Sequence, residues 1–206
     1  MQQILLASTS ENKKLRIQKL LQLIDKKYEV FLPTDLNIEE IEIVEGDDVS
    51  KNAELKAMAY FGRTTLPIVG YDQGLEIEGE NLTPALVKRN ALRMKIESKL
   101  SQAEISDLIT NFYIGIANNH GGEVKARWLD AFFIVNQKGQ TGSSMAYRPI
   151  ILTNKSKGMP DLKSPITNLY KVIPINKYVC DLTAEEDFEY RQKMIQSALL
   201  ELLDKE

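Results

Sequence analysis

Gln3-Ile4-Leu5-Leu6-Ala7 followed by Ser8-Thr9-Ser10-Glu11-Asn12 is the stretch on which the fold turns. The run Gln3–Ala7 is short and apolar after its first residue, as expected of a strand buried on both faces. Ser8–Asn12 is a turn of small polar residues, several able to cap a helix. Beyond it Leu15, Ile17, Leu20, Leu21 and Ile24 recur at helical spacing. Strand, polar turn and helix make an α/β unit. Its free N–H groups and helix dipole face one point, which suits phosphate, although many such units bind nothing.

Working outward, Tyr28–Pro33 reads as a second strand, and the alternation in Ile38–Val44 predicts a third. Gly46-Asp47-Asp48 breaks the chain and caps a helix to about Gly62, with Ala53, Leu55, Met58 and Ala59 apolar. Leu66–Gly70 is a buried strand that turns through Tyr71-Asp72-Gln73-Gly74 into a short strand, Leu75–Ile77. Pro84 opens a helix to about Leu100, and Ser101–Glu104 is a capping box for the next. Ile114–Ala117 and Val124–Val135 flank Asn118–Gly122 as a hairpin, and a second capping box, Thr183–Glu186, starts a closing helix to about Leu203.

The 206 residues suit a single domain, with a hairpin-rich lobe in the second half. A net charge of -3 exerts no general pull on a nucleic-acid backbone, so no nucleic-acid polymer is expected as partner. Cys180 is the only cysteine, which rules out an intramolecular disulfide and argues against a thiolate zinc site. No apolar run is long enough to span a membrane. Met1–Ala7 passes straight into a polar turn and does not read as a signal peptide, so a cytoplasmic protein is expected.

Asp72, read at the end of a buried strand, is placed where open α/β sheets bind ligands. A carboxylate there holds Mg²⁺ or orients a water, or else begins a tight turn. Glu39, Glu40, Glu42, Glu45, Asp47 and Asp48 surround the third predicted strand. One of them can complete an Mg²⁺ site, since that ion needs only one or two carboxylates plus substrate phosphates. Lys14 and Lys56 follow turns closely enough for an ammonium to reach phosphate, but such lysines also serve as solvated helix surface. His120, the only histidine, sits in a glycine-rich turn, and no Walker loop or dinucleotide fingerprint occurs.

Taken together these pieces resemble the inosine triphosphate (non-canonical purine nucleoside triphosphate) pyrophosphatase family. Ile4–Lys14 is similar to the family's opening strand and T-G-N-x-x-K turn. Glu45-Gly46, five residues, then Asn52-Ala53-Glu54-Leu55-Lys56-Ala57 is similar to E-x-G…N-A-x-x-K-A, and Leu66–Ile77 to P-x-x-A-D-D-S-G-L-x-V. Order and spacing agree over about the first eighty residues. Later, Gly142–Ile150 is similar to the G-x-G-F-G-Y-D-P-I loop, and Glu185–Leu200 to the closing helix E-E-K-N-x-x-S-H-R-G. The chain departs from the pattern in places: Tyr71 stands for the first Asp of the pair, Glu11 for the turn Asn, and Val44 for the metal Glu. Arg148 replaces the loop Asp, Asp187 the helix Lys, and Arg191-Gln192-Lys193 the Ser-His-Arg run.

The resemblance implies an inosine triphosphate pyrophosphatase-like α/β fold, with a mixed central sheet, flanking helices and a cleft. It further implies an Mg²⁺-dependent nucleoside triphosphate pyrophosphohydrolase, acting as a homodimer, whose base specificity is altered. Asp72 would be catalytic and, with Glu45 and Glu42, would hold the metal. Thr9, Ser10, Lys14, Lys56, Gln73, Gly74 and Arg89 would bind the phosphates, and Tyr147, Arg148, Asp187, Gln192 and Lys193 the remainder of the substrate. Because loop Asp and helix Lys have exchanged sign together, Arg148 and Asp187 are expected to face each other. The rival is a weak or inactive relative that binds a nucleotide or a protein partner. A purely structural dimerisation subunit is a third possibility.

Overall fold

A computed structural model describes residues 2–22, 28–93, 95–159 and 161–203. Met1 of the apolar opening run and Ile24 of the predicted helical stripe lie outside the described residues. The chain forms two compact units. Its strands lie in one mixed seven-stranded order, β2-β1-β3-β4-β5-β6-β7.

The first unit takes in Met1–Gln73, Leu129–Ala146 and Met194–Glu206. Strand β1 (Gln2–Leu6) pairs in parallel with β2 (Tyr28–Phe31) and β3 (Ile68–Ile77). Alternation along β1 sends Ile4 and Leu6 to one face, and Leu5 and Ala7 to the other. On the first face lie α1 (Glu11–Gln22), through Ile17, Leu20 and Leu21, and α6 (Lys193–Leu203), through Ile195, Leu199 and Leu202. On the second lies α2 (Val49–Ala59), whose Ala57 packs with Leu5 and Ile68. Asp48 caps α2, accepting hydrogen bonds from the backbone of Ser50 and Lys51.

The second unit takes in Gly74–Trp128 and Tyr147–Lys193. Its core gathers on α4 (Gln102–Asn119), where Ile105, Ile109, Tyr113 and Ile116 recur at helical spacing. The expected capping boxes at Ser101/Glu104 and Thr183/Glu186 are both formed. The second opens α5 (Ala184–Asp187), which continues through a π-helical turn, Phe188–Gln192, into α6. Strands β4 (Glu123–Val135) and β5 (Thr141–Thr153) are sheet neighbours joined through residues 136–140. Strand β6 (Tyr170–Val172) pairs antiparallel with β5, and β7 (Lys177–Tyr178) pairs antiparallel with β6.

Several expected elements are different. Residues 38–47 form no strand. The alternation reports one side against the core, and a loop satisfies it: Ile38 and Ile41 pack near Tyr60, while Val44 is 85% exposed. The strand–turn–strand over Leu66–Ile77 is instead one continuous strand, β3, because neither Gly70 nor Gly74 adopts a turn-forming positive φ. Ile114–Ala117 belongs to α4, and Asn118–Gly122 is that helix's C-terminus rather than a hairpin. There Gly121 (φ 79°) and Gly122 (φ 108°) turn the chain, and the Gly122 N–H closes on the Ala117 carbonyl. The helix expected from Pro84 to Leu100 is in pieces: a 3₁₀ turn at Pro84–Leu86, α3 (Val87–Leu92) and a 3₁₀ turn at Glu97–Lys99. Arg93, at φ 52°, ends α3. Residues 142–150, expected as a loop, lie within β5. Among the described residues no helix is long and apolar enough to cross a membrane.

Candidate active site

In the first unit the sequence motifs meet on the α2 face of β3. Gly70 brings α2 against the strand: a Cβ there would lie 1.9 Å from the Ala53 carbonyl oxygen. Two residues further along the strand, Asp72 points to the same face and is 6% exposed. Its Oδ1 accepts from Lys56 Nζ at 2.6 Å and its Oδ2 from Asn52 Nδ2 at 3.1 Å. The same ammonium lies 2.6 Å from Glu45 Oε1. Asn52, fully buried, also exchanges hydrogen bonds with both backbone groups of Gly46, at 2.8 and 3.0 Å. The latch holds the turn that carries Glu45 onto α2. One ammonium therefore gathers two carboxylates, with an amide fixing the rotamer of the inner one.

Tyr71 and Gln73 point to the opposite face of β3, towards Asp130 on β4, which is fully buried. The Tyr71 hydroxyl and the Gln73 amide each donate to Asp130 Oδ1 at 2.6 Å. The Tyr71 ring stacks on Phe132 with centroids 4.8 Å apart, and its oxygen accepts from Arg16 at 3.2 Å. Lys13, in the first turn of α1, holds its ammonium 5.2 Å from the Tyr71 ring centroid. Burial, followed by the positive charge of Lys56, pulls its pKa below the ordinary lysine value against the opposing pull of Asp72 and Glu45.

Of the residues expected in the site, Asp72, Glu45 and Lys56 are brought together. Lys14 is engaged elsewhere: its ammonium lies 2.6 Å from Asp35, whose carboxylate also accepts from the Leu32 N–H. Ser10 caps α1, its hydroxyl accepting from the Lys13 N–H, and Thr9 beside it is exposed. Glu42 is exposed in the loop before Glu45. In the second unit Gly74 is buried and Arg89 is exposed on α3. Arg127 lies over the half-exposed Tyr147 ring at 5.0 Å. Arg148 is 4% exposed, its guanidinium 5.8 Å from the Trp128 ring. Asp187 accepts from Arg191 one turn on and from Gln192 at 3.2 Å, and Lys193 pairs with Glu189.

Lys13, Arg16 and Asp130 are residues that motif reading did not assign, and Asn52, although within the matched pattern, was given no role. Lys13 stands four residues before Ile17 and seven before Leu20, on the buried stripe of α1, and that spacing is a signal. An acid inside the apolar run Leu129–Val135 is the corresponding signal for Asp130.

Among the described residues no group of three or more His, Cys, Asp or Glu converges so as to hold a metal. Mg²⁺ needs fewer, since one or two carboxylates suffice when substrate phosphates supply the other ligands. Glu45 and Asp72, both facing the position of one ammonium, fit that requirement.

No family model matches the sequence, and no curated protein does. Solved structures do. The chain is similar to a HAM1 protein from Coxiella burnetii at TM-score 0.75 and 18% identity, over all of both chains. A Ham1 protein from Staphylococcus aureus matches at TM-score 0.70 and 18% identity, over 97% of this chain and 99% of that one. A nucleoside-triphosphatase/dITP/XTP pyrophosphatase from Mycobacterium abscessus matches at 0.69 and 19%, over 96% and 98%. Over nearly its whole length the chain thus carries the inosine triphosphate pyrophosphatase-like fold that its first eighty residues imply.

Proposed function

We propose that this protein is an Mg²⁺-dependent nucleoside triphosphate pyrophosphohydrolase with altered base specificity. The observation that carries the reading is the convergence of Asp72 and Glu45 on Lys56 beside Lys13, on a fold shared with a dITP/XTP pyrophosphatase. Water attacks the α-phosphorus, the bond to the bridging oxygen breaks, and a nucleoside monophosphate and pyrophosphate leave. Asp72, its rotamer fixed by Asn52 and Lys56, accepts a proton from the attacking water. Lys56 holds that carboxylate in an ion pair and presents positive charge to the phosphates. Asp72 and Glu45 would hold Mg²⁺ together with the substrate phosphates, and the ion would supply neutralisation of the charge that develops on phosphate oxygens. Arg148 and Asp187 occupy the positions where the resemblance places base readers, with reversed charge, so inosine and xanthosine are not the preferred bases. A homodimer and a cytoplasmic location belong to the same proposal.

One observation favours the rival, a binding protein without turnover: Tyr71, in place of an acid, is sealed against Phe132 and fully buried. The test is a panel of nucleoside triphosphates with Mg²⁺, with pyrophosphate release and binding measured separately. Release of pyrophosphate from a nucleotide other than inosine or xanthosine triphosphate is expected. Binding without release supports the rival, and a strong preference for inosine triphosphate defeats the altered specificity.

A further inference from the structure

Tyr71 and Gln73 flank Asp72 on β3, so strand alternation sends both to the face that Asp72 leaves. Both end on one atom. Asp130, on the neighbouring strand β4, accepts at Oδ1 from the Tyr71 hydroxyl and from the Gln73 amide, each at 2.6 Å. Phe132, two residues along β4, stacks on the Tyr71 ring at 4.8 Å, and Arg16 of α1 donates to the Tyr71 oxygen at 3.2 Å. Burying a carboxylate within the apolar run Leu129–Val135 costs stability that these short hydrogen bonds offset. An apolar residue would fill the strand without that cost, but it could not hold the two neighbours of Asp72.

We propose that Asp130 is a positioning residue for Asp72, anchoring β3 from behind while Lys56 and Asn52 hold the carboxylate from the front. The inference rests on the role given to Asp72 above. Asp130 is fully buried on the far face, so it touches neither metal nor substrate and acts only through the strand. Two successive same-face residues tied to a single point fix the roll of β3 about its own axis. That roll sets the direction of the Asp72 Cα–Cβ bond, and with it the line along which the carboxylate meets an attacking water. Gln73 is thereby assigned to the anchor rather than to phosphate. Tyr71, which stands for an acid of the resembled pattern, brings its hydroxyl to an acid one strand over. What the two donors require is an acceptor oxygen, and an amide offers one as well as a carboxylate does.

Three variants test this. Asp130→Leu removes the acceptor and should lower kcat by about tenfold or more, with KM for the nucleoside triphosphate within about threefold of wild type. Asp130→Asn keeps an acceptor oxygen and should stay within about threefold in kcat. Tyr71→Phe keeps the ring on Phe132 and removes one donor, so it should show a smaller loss of kcat and serves if Asp130→Leu does not fold. A folded Asp130→Leu with wild-type kcat, a change confined to KM, or an Asp130→Asn as impaired as Asp130→Leu overturns the proposal. A second readout needs no turnover. The Asn52 side-chain amide donates to Asp72 Oδ2, so its ¹⁵N–¹H signal in the full chain reports where that carboxylate lies. The signal should move in Asp130→Leu and Tyr71→Phe and stay in Asp130→Asn; a signal unmoved in all three defeats the anchor. A wild type that releases no pyrophosphate yet shows these shifts would defeat the enzymatic reading and leave the anchor standing.

Discussion

Asp72 concentrates the chemistry of the first unit in one carboxylate. Both of its oxygens are engaged, one by an ammonium and one by an amide, and it is almost wholly buried. Asp72→Asn keeps the shape and removes the charge, so kcat should fall by about a hundredfold or more. Lys56 retains Glu45, so the far-UV spectrum should be unchanged and the melting temperature only modestly lower. A variant within about threefold of wild-type kcat would remove Asp72 from the mechanism. Much of this cluster was legible in the sequence, because Glu45, Asn52, Lys56 and Asp72 stand at the spacings of a known pattern. The choice between Lys13 and Lys14 was legible only in the spacing of Lys13 to Ile17 and Leu20, since adjacent residues on a helix differ by about 100° in direction. Asp130 was legible only as an anomaly, an acid in an apolar strand, and its partners Tyr71 and Gln73 were not.

Among the elements, the pairing of α2 with β3 decides where Lys56 and Asn52 sit. It depends on a missing side chain. Gly70→Ala places a methyl group against the Ala53 carbonyl, which is backbone and cannot rotate away. The variant should lose about 1–3 kcal/mol or more, seen as a lowered denaturant midpoint, and activity should fall with it as Lys56 moves off Asp72. Unchanged stability would mean that helix and strand are not so closely apposed. The sequence placed this glycine correctly in a strand but read the next residues as a turn. Glycine serves both close approach and reversal, and a lone sequence does not separate the two uses. The predicted hairpin at Asn118–Gly122 failed in the same way. A helix C-terminus and a β-turn draw on the same residues, and the helical spacing of Ile109, Tyr113 and Ile116 upstream was the arbiter.

Taken as a whole, the molecule is mildly acidic, and several of its carboxylates are stabilised in the folded state. Asp35 is held below the ordinary carboxylate range first by the Leu32 N–H and then by Lys14, and Glu186 first by Lys177 and then by the Thr183 N–H. A carboxylate with a depressed folded pKa contributes stability that is present above its unfolded value and lost as pH falls through the folded one. Thermal stability should therefore begin to fall near pH ~4 and continue downward, and Asp35→Asn should flatten that arm of the profile. An acid limb of equal steepness in the variant would show that Asp35 does not contribute.

The first unit is assembled from three separated stretches of chain, and its last stretch closes the core over its first. Gln196 donates to the Leu20 carbonyl across 176 residues of sequence, and Leu199 and Leu202 cover the same face as Ile4 and Leu6. During synthesis, then, the strand made first waits for the helix made last. Until about residue 200 has left the ribosome, that apolar face has only α1 over it, and contacts of such long separation are slow to form. Nascent chains stalled before Ile195 should depend on chaperones and resist proteases poorly, whereas those extended past Leu203 should not, so the timing of translation becomes a determinant of yield.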